Sequence, residues 1–347
     1  MIARRFCYQR FCYRRFCYQR IYFRRFGYLS PLCIGLLLIS SPIKADPRFS
    51  KLFENAFAGA VILSDSDAVT LGFKDFDPNN WLNIDDEDAG TPESVDLRKS
   101  LNVYTLPWTE TLTQSPTFNN QLVFRLSALE ADGDTIDFQS SKPDKHHEYV
   151  LGGYVGYQQQ IKFEDHWSFN TGVGAHLQYY KSRYSYNSAA SKQYLKPLVD
   201  GVLVNTDAWA TTAQSEVGFS YLKLKQWGKL TFDSSFNYFY GVGWGEANQG
   251  DVGYPEGWYW SNEAKLFFDV TDFGRSVQTI YSSIRRVDIG GDTFNTIGSP
   301  YYYEATLGWL MTPPFAIKFV DNIGIGLSIN YGSALKGGSL VLFFNQD

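Results

Sequence analysis

The chain has 347 residues, 17% of them aromatic and 19% charged, and no run of about 20 apolar residues, which excludes a membrane protein built of spanning helices. All four cysteines lie before residue 34, so residues 34–347 hold no disulfide, cysteine nucleophile or thiolate metal site. Residues 46–347 carry 22 basic and 36 acidic side chains, a net charge of −14, which argues against nucleic acid as a partner because phosphates bind to basic surfaces.

Residues 1–45 have the composition of an export signal. They carry nine Lys or Arg and no acidic residue, and the short apolar stretch 32–39 is followed by the small residue Ala45. This order is typical of a secretory signal peptide and predicts cleavage after Ala45. The basic part repeats Arg-Phe-Cys-Tyr at residues 5–8, 10–13 and 15–18. A translated repeat upstream of the true start codon is favoured over a membrane-surface segment as its origin.

Residues 51–63, at the start of the predicted folded domain 46–347, allow two interpretations. A helix would place Phe53, Phe57, Ala60 and Val61 on one side, and such a helix could plug a barrel. The same residues could instead form the first strand. The acidic stretch 74–96 that follows predicts a solvated loop, with weak binding of a divalent cation as the alternative, because the Gly and Glu positions of an EF-hand are missing.

A period-two alternation of apolar and polar residues dominates the chain from residue 149 onward. It covers residues 149–163 and 167–179 and returns at 230–242, 258–270 and 323–331. Strict alternation indicates strands with two chemically different faces. These stretches exceed the roughly five or six residues of an average soluble strand and reach the 9–11 or so that a membrane strand needs.

The alternation predicts an all-β fold, a transmembrane antiparallel β-barrel in the bacterial outer membrane. Its polar face is rich in Gly, Ser, Asn and Gln, as expected of a barrel interior, and closing the sheet pairs every backbone polar group in lipid. We expect about twelve strands, with ten or fourteen as alternatives, and short periplasmic turns with long external loops. Aromatic residues near strand ends fit the two girdles of such a barrel: Tyr149, Trp167, Tyr179, Trp209, Trp258, Trp260 and Trp309.

The C-terminal segment carries an assembly pattern. Lys336, Gly338, Val341 and Phe343 fit the order polar-x-Gly-x-x-apolar-x-aromatic, although four residues follow Phe343. The pattern resembles the terminal signal that the outer-membrane barrel assembly machinery reads. The predicted partners are therefore that machinery, outer-membrane lipid and lipopolysaccharide.

One segment resembles a known family. Residues 58–67 read Ala-Gly-Ala-Val-Ile-Leu-Ser-Asp-Ser-Asp and continue through Val-Thr-Leu-Gly-Phe (69–73) to Asp-Phe-Asp-Pro (75–78). This resembles the start of the solitary autotransporter-like β-barrel family of Gram-negative bacteria, over about residues 50–347. The resemblance implies a barrel of about twelve strands, like an autotransporter translocator, with no passenger domain. It implies no catalytic residues.

Polar side chains of the predicted interior are the candidate functional groups. They could set the ion selectivity of a pore, or pair with one another in a narrow or plugged barrel, which is favoured. His166 and Ser168, two apart on one strand, resemble the His-x-Ser pair of outer-membrane phospholipases. Their predicted place, at the periplasmic end and facing the lumen, opposes that role. The predicted lumen-lining residues are Arg125, His166, Ser168, His176, Asp233, Glu263, Lys265 and Asp269.

A second polar group, His146 and His147 with Asp144 and Glu148, lies near the end of a predicted loop. It could bind a metal or serve a protease, but a solvated loop base is favoured because no helical metal-binding spacing is present. We therefore predict no catalytic residue, metal or cofactor. The predicted function is a non-enzymatic barrel that is structural, interacts at the surface or passes small solutes. A dedicated channel and an outer-membrane hydrolase are the alternatives.

Overall fold

The computed structural model describes residues 45–66, 68–133, 143–315 and 320–346. The predicted export signal lies outside the described residues except for Ala45, so its cleavage stays a prediction. Within the described part, no helix is both long and apolar enough to cross a membrane. The described secondary structure consists of twelve strands and five α-helices.

The strands, in chain order, are β1 (Lys74–Phe76), β2 (Leu101–Gln114), β3 (Phe118–Gly133), β4 (Lys145–Lys162), β5 (Trp167–Ser185), β6 (Asp207–Lys225), β7 (Gly228–Gly245), β8 (Glu256–Phe273), β9 (Ser276–Gly291), β10 (Tyr301–Met311), β11 (Ile323–Tyr331) and β12 (Gly337–Phe344). The helices are α1 (Pro47–Leu63), α2 (Pro78–Leu82), α3 (Pro92–Ser100), α4 (Lys196–Val199) and α5 (Thr293–Ile297). A π-helical turn, Ser191–Leu195, precedes α4, and a 3-10 turn occupies Ala247–Gly250.

All twelve strands belong to one antiparallel sheet. Its order is β1-β12-β11-β10-β9-β8-β7-β6-β5-β4-β3-β2, so every strand from β2 to β12 lies beside its neighbours in sequence. The prediction of an all-β fold with twelve antiparallel strands is confirmed. The edge strands β1 and β2 share no backbone ladder in the described residues, so the sheet itself is not closed.

Side chains join the two edges instead. Arg98, at the end of α3 just before β2, reaches across to β1 and β12 and is almost fully buried. Its Nε donates to Asp75 Oδ1 on β1 at 2.9 Å, its Nη1 donates to the Leu335 carbonyl at 2.6 Å, and its Nη2 donates to Ser339 Oγ on β12. The curled sheet is thereby held together near the start of β2.

The two faces of the curled sheet differ as the alternation predicts. On β5, His176 and Gln178 are buried on the inner face, whereas Val173 and Leu177 are exposed on the outer one. Apolar side chains that would be unfavourable in water thus cover the outside. Polar and small side chains line much of the inside, with apolar clusters near its two ends, whereas a soluble sandwich exposes its polar face to water.

The connections distinguish two ends of the sheet. The turn end carries the links from β2 to β3, β4 to β5, β6 to β7, β8 to β9 and β10 to β11. The loop end carries those from β1 to β2, β3 to β4, β5 to β6, β7 to β8, β9 to β10 and β11 to β12. Four of the turn-end links are tight, whereas the loop end holds α2, α3, α4 and α5.

Helix α1 begins and ends at clear local signals. The side chain of Asp46 caps it by accepting from Arg48 N at 2.9 Å, and Pro47 occupies the first turn, where its missing N–H costs no helical bond. At the other end, Ser64 Oγ donates to the Val61 carbonyl at 3.1 Å. Of the two interpretations of residues 51–63, the helix is therefore correct.

Candidate functional site

Helix α1 fills the interior of the curled sheet at its loop end. Phe53 and Phe57, one helical turn apart, both pack edge-on against Tyr180 of β5, with ring centroids 5.5 and 6.2 Å away. Phe57 and Val61 are completely buried. Residues from many strands complete this core, among them Leu129, Val150, Ala208, Ala210, Phe239, Tyr259, Val287, Ile289 and Tyr302.

Polar contacts tie α1 to the loop end. Lys51 forms an ion pair with Asp292 beside α5, and Thr296 Oγ1 donates to the Asn55 carbonyl at 3.3 Å. At Gly59 the two helices approach so closely that a Cβ would lie 2.5 Å from Thr296 Oγ1. A larger residue at position 59 would therefore push α1 away from α5.

Asp65 anchors the chain just beyond α1. Its carboxylate is buried, accepts a hydrogen bond from Tyr259 Oη at 2.5 Å and forms an ion pair with Arg125 Nη2 at 3.2 Å. These partners lie on β8 and β3, on different sides of the interior. A buried charge is tolerated only when it is paired and hydrogen-bonded, so Asp65 favours one position of the segment that follows α1.

A chain of side chains supports Arg125. Its guanidinium lies 5.3 Å from the centroid of the Tyr154 ring, and Tyr154 in turn packs on His176 at 4.5 Å. His176 Nε2 and Gln214 Oε1 are 2.6 Å apart. Gly174 leaves the space that Tyr154 occupies, because a Cβ there would lie 2.5 Å from Tyr154 Oη.

Arg285 forms a second anchor nearby. Its guanidinium is 3.0 Å from Glu263 Oε2 on β8 and 3.4 Å from Glu304 Oε1 on β10, and all three side chains are almost fully buried. Arg285 Nη1 also donates to the Ser66 carbonyl at 3.0 Å. Glu304 Oε2 accepts from Thr70 N at 2.9 Å. We call Asp65, Arg125, Tyr259, Arg285, Glu263 and Glu304 the latch, because together they fix the chain at Asp65, Ser66 and Thr70.

Most of the predicted lumen-lining residues face the interior. Arg125 and Glu263 belong to the latch, and Ser168 and His176 are buried on the inner face. Lys265 Nζ lies 3.7 Å from Glu263 and 3.8 Å from Asp233, so the predicted charges pair with one another. Asp269 is exposed near the turn end, where Thr279 Oγ1 donates to it at 2.7 Å.

The inward orientation predicted for His166 needs correction. Strand β5 begins one residue later, at Trp167, so His166 lies in the turn after β4 and is exposed. Its ring contacts Tyr221, with centroids 5.7 Å apart, on the outer face of β6. His166 and Ser168 therefore do not share a strand face, and the phospholipase-like arrangement is not formed.

The polar group around His146 is divided among three places. His146 and Glu148 point inward, where they contact Ser182 and Tyr180. Asp144 is buried and accepts from the backbone N–H groups of Asn187 and Ser188, in the loop after β5. His147 points outward, with Nδ1 2.5 Å from Asp132 Oδ1.

Three of the four C-terminal pattern residues lie on β12, and Lys336 immediately precedes it. Gly338 pairs with Phe76 of β1, and Val341 and Phe343 are buried inside the turn end with Phe267, Tyr281 and Leu310. The side chains that point outward are the next ones, Leu342 and Phe344. The role of these residues as an assembly signal stays a prediction.

Several residues of the latch were not predicted from the sequence. Asp65 and Glu304 were not singled out, and the stretch around Arg285 does not alternate cleanly. An acidic residue two positions after the end of an apolar helix is a signal that could have identified Asp65. Chemically, the latch pairs carboxylates with guanidinium groups in a buried place, an arrangement suited to holding a segment in position.

Comparison with protein families finds a match over most of the chain. The model of the solitary outer membrane autotransporter β-barrel domain covers residues 54–346, which is most of the chain. No curated protein matches the chain.

Proposed function

The chain belongs to the solitary outer membrane autotransporter β-barrel domain family, and on that basis we propose that it is a non-enzymatic outer-membrane barrel kept closed by α1. Its long loops face the cell exterior, following the usual arrangement of outer-membrane barrels. In this proposal the protein acts as a structural and surface-exposed barrel. Small solutes pass only when α1 leaves the interior.

One observation carries the proposal: α1 occupies the loop-end interior with Phe53, Phe57 and Val61 buried, and the latch holds the segment behind it. An open channel requires that volume to be water-filled. A dedicated channel, the second predicted function, would therefore need α1 to be displaced. A hydrolase receives no support from the geometry around His166 and Ser168.

The proposal is tested by conductance in planar bilayers, using protein purified from outer membranes in detergent. Wild-type protein should show few and brief current steps. Asp65→Asn should open the barrel, because it leaves the buried Arg125 without the carboxylate 3.2 Å away. Removing one partner of a buried ion pair costs about 3–5 kcal/mol, enough to raise the undocked population of α1 roughly a hundredfold or more.

Asp96→Asn is the matched control, because Asp96 is an exposed residue of α3 outside the interior. It should conduct like the wild type. Steady large conductance of the wild-type protein, unchanged by Asp65→Asn, would favour a dedicated channel over a closed barrel.

Export and assembly are part of the same proposal. The positive N-terminal segment directs export and is removed after Ala45, and the assembly machinery recognises β12, whose Leu342 and Phe344 point outward. Mass spectrometry of the protein from outer-membrane fractions should then find an N-terminus at Asp46. An intact N-terminal segment in that fraction would contradict cleavage.

A further inference from the structure

The outer faces of β3 and β4 bring three possible metal ligands together at the loop end. Leu129 on β3 and Val150 on β4 are buried on the inner face. Successive side chains of a strand point to opposite faces. Glu130 and Asp132 lie one and three positions from Leu129, and His147 lies three positions from Val150, so all three point outward. The ladder places Asp132 directly opposite His147, so the cluster is built by strand pairing.

The geometry of this cluster is close to that of a metal site. One imidazole nitrogen of His147 and one carboxylate oxygen each from Glu130 and Asp132 lie within 4.8 Å of one another. Zinc bonds of about 2.0–2.2 Å would hold such atoms roughly 3.3–3.5 Å apart. The two nearest atoms, His147 Nδ1 and Asp132 Oδ1, are 2.5 Å apart, and both side chains are exposed enough to rotate by the small amount required.

We propose that Glu130, Asp132 and His147 bind one divalent cation of the zinc type. Calcium and magnesium prefer ligand sets made entirely of oxygen, whereas an imidazole with carboxylates suits zinc and its first-row neighbours. Three protein ligands leave a fourth position to water, as in open zinc sites. The neighbouring Arg183 lies over the Tyr149 ring, 6.0 Å from its centroid. The side chains of His147 and Asp132 are 40% and 59% exposed, so a cation can reach the cluster from the outer side.

Binding at this place would join the ends of two strands. β3 ends at Gly133 and β4 begins at Lys145, so the cation would bridge the strands at the base of the long loop between them. A ligand that binds only the folded state stabilises it, by about 2.7 kcal/mol at a hundred times its dissociation constant. The cation should therefore raise the temperature at which the protein unfolds in detergent.

The test is calorimetric titration of Zn²⁺ into protein purified from outer membranes without a histidine tag, after treatment with a chelator. We expect one site in the wild type. His147→Ala should weaken binding by more than the roughly tenfold to hundredfold that loss of an outer-shell partner causes. Asp132→Asn should weaken it as well, and both variants should lose the zinc-dependent rise in unfolding temperature.

His166→Ala is the matched control, because His166 is also an exposed outward histidine, but at the turn end. It should bind Zn²⁺ like the wild type. Equal zinc affinity of the wild type and His147→Ala would overturn the proposal. So would equal competition by Mg²⁺ or Ca²⁺, which would indicate a general acidic patch. Neither outcome depends on whether the barrel conducts.

Discussion

The two halves of the interior are filled in different ways. At the loop end, α1 and the surrounding strands form an apolar core in which Phe57, Phe239 and Tyr259 are completely buried. Toward the turn end the inner face carries more polar side chains, such as the partly exposed Asp233, together with a smaller apolar cluster that includes Phe267 and Phe343. The latch lies where the first half meets the second. Closure by α1 is thus a property of the loop-end half alone.

The interactions that stabilise α1 inside the barrel therefore differ from those that fix its position. Apolar burial is the large favourable contribution, about 25 cal/mol for each Å² removed from water. Buried ion pairs contribute little net stability, but breaking one by removing a single partner is costly. We therefore expect core substitutions to lower stability, and latch substitutions to release α1 as well.

Arg285→Ala is among the substitutions with the largest expected effect, because it removes the shared partner of two buried carboxylates. It leaves Glu263 and Glu304 without the guanidinium that lies 3.0 and 3.4 Å from them. The loss of stability should reach about 3–5 kcal/mol, measured by urea unfolding in lipid vesicles. The neighbouring Arg286→Ala is the control, because Arg286 is exposed and pairs with Asp288, and it should change little. Similar losses for both variants would remove Arg285 from the latch.

A substitution that creates a cavity should lower stability in either half of the interior, but should raise conductance in only one of them. Phe57→Ala and Phe343→Ala both remove a buried ring, and each should cost about 3–5 kcal/mol. Only Phe57→Ala should also increase conductance, because Phe57 belongs to the plug and Phe343 to the cluster at the turn end. Equal conductance increases in planar bilayers would contradict the distinction between the halves.

A smaller effect is expected from a substitution that crowds Tyr154, whose ring packs on Arg125. In Gly174→Ala the new methyl group would lie 2.5 Å from Tyr154 Oη, so the Tyr154 ring must shift and its packing on Arg125 should be disturbed. Such overpacking costs about 1–3 kcal/mol and should modestly raise conductance. Gly153→Ala is the control, since the nearest atom to its new methyl group is 3.8 Å away. If Gly153→Ala has the larger effect, Tyr154 does not support the latch.

The strands could be predicted from the sequence because their alternation is local. It identified the polar face of β5 and the approximate strand number without any knowledge of partners. The role of Arg285 could not be predicted, because a second arginine, Arg286, follows it directly and breaks the alternation. Arg285 pairs inside with Glu263, whereas Arg286 pairs outside with Asp288. A pattern of residue types alone does not distinguish the two.

Contacts between distant segments were the part that could not be predicted. Asp65 acquires its role from Arg125 and Tyr259, which lie on β3 and β8. His147 meets Asp132 only through the register of two strands. For residues 51–63, both a helix and a strand satisfied the pattern, and burial against the strands decided between them.

The most direct test of the account is a reversible covalent lock on α1. Residues 34–347 contain no cysteine, and a Cβ at position 59 lies 3.2 Å from Thr296 Cβ. The two helices need to separate by only a few tenths of an ångström to reach the Cβ–Cβ spacing of a disulfide, about 3.5–4.5 Å. In protein carrying Asp65→Asn, Gly59→Cys and Thr296→Cys, we predict a silent barrel when the disulfide is formed and steady conductance after reduction. Conductance that is the same in both redox states would contradict the claim that α1 closes the barrel.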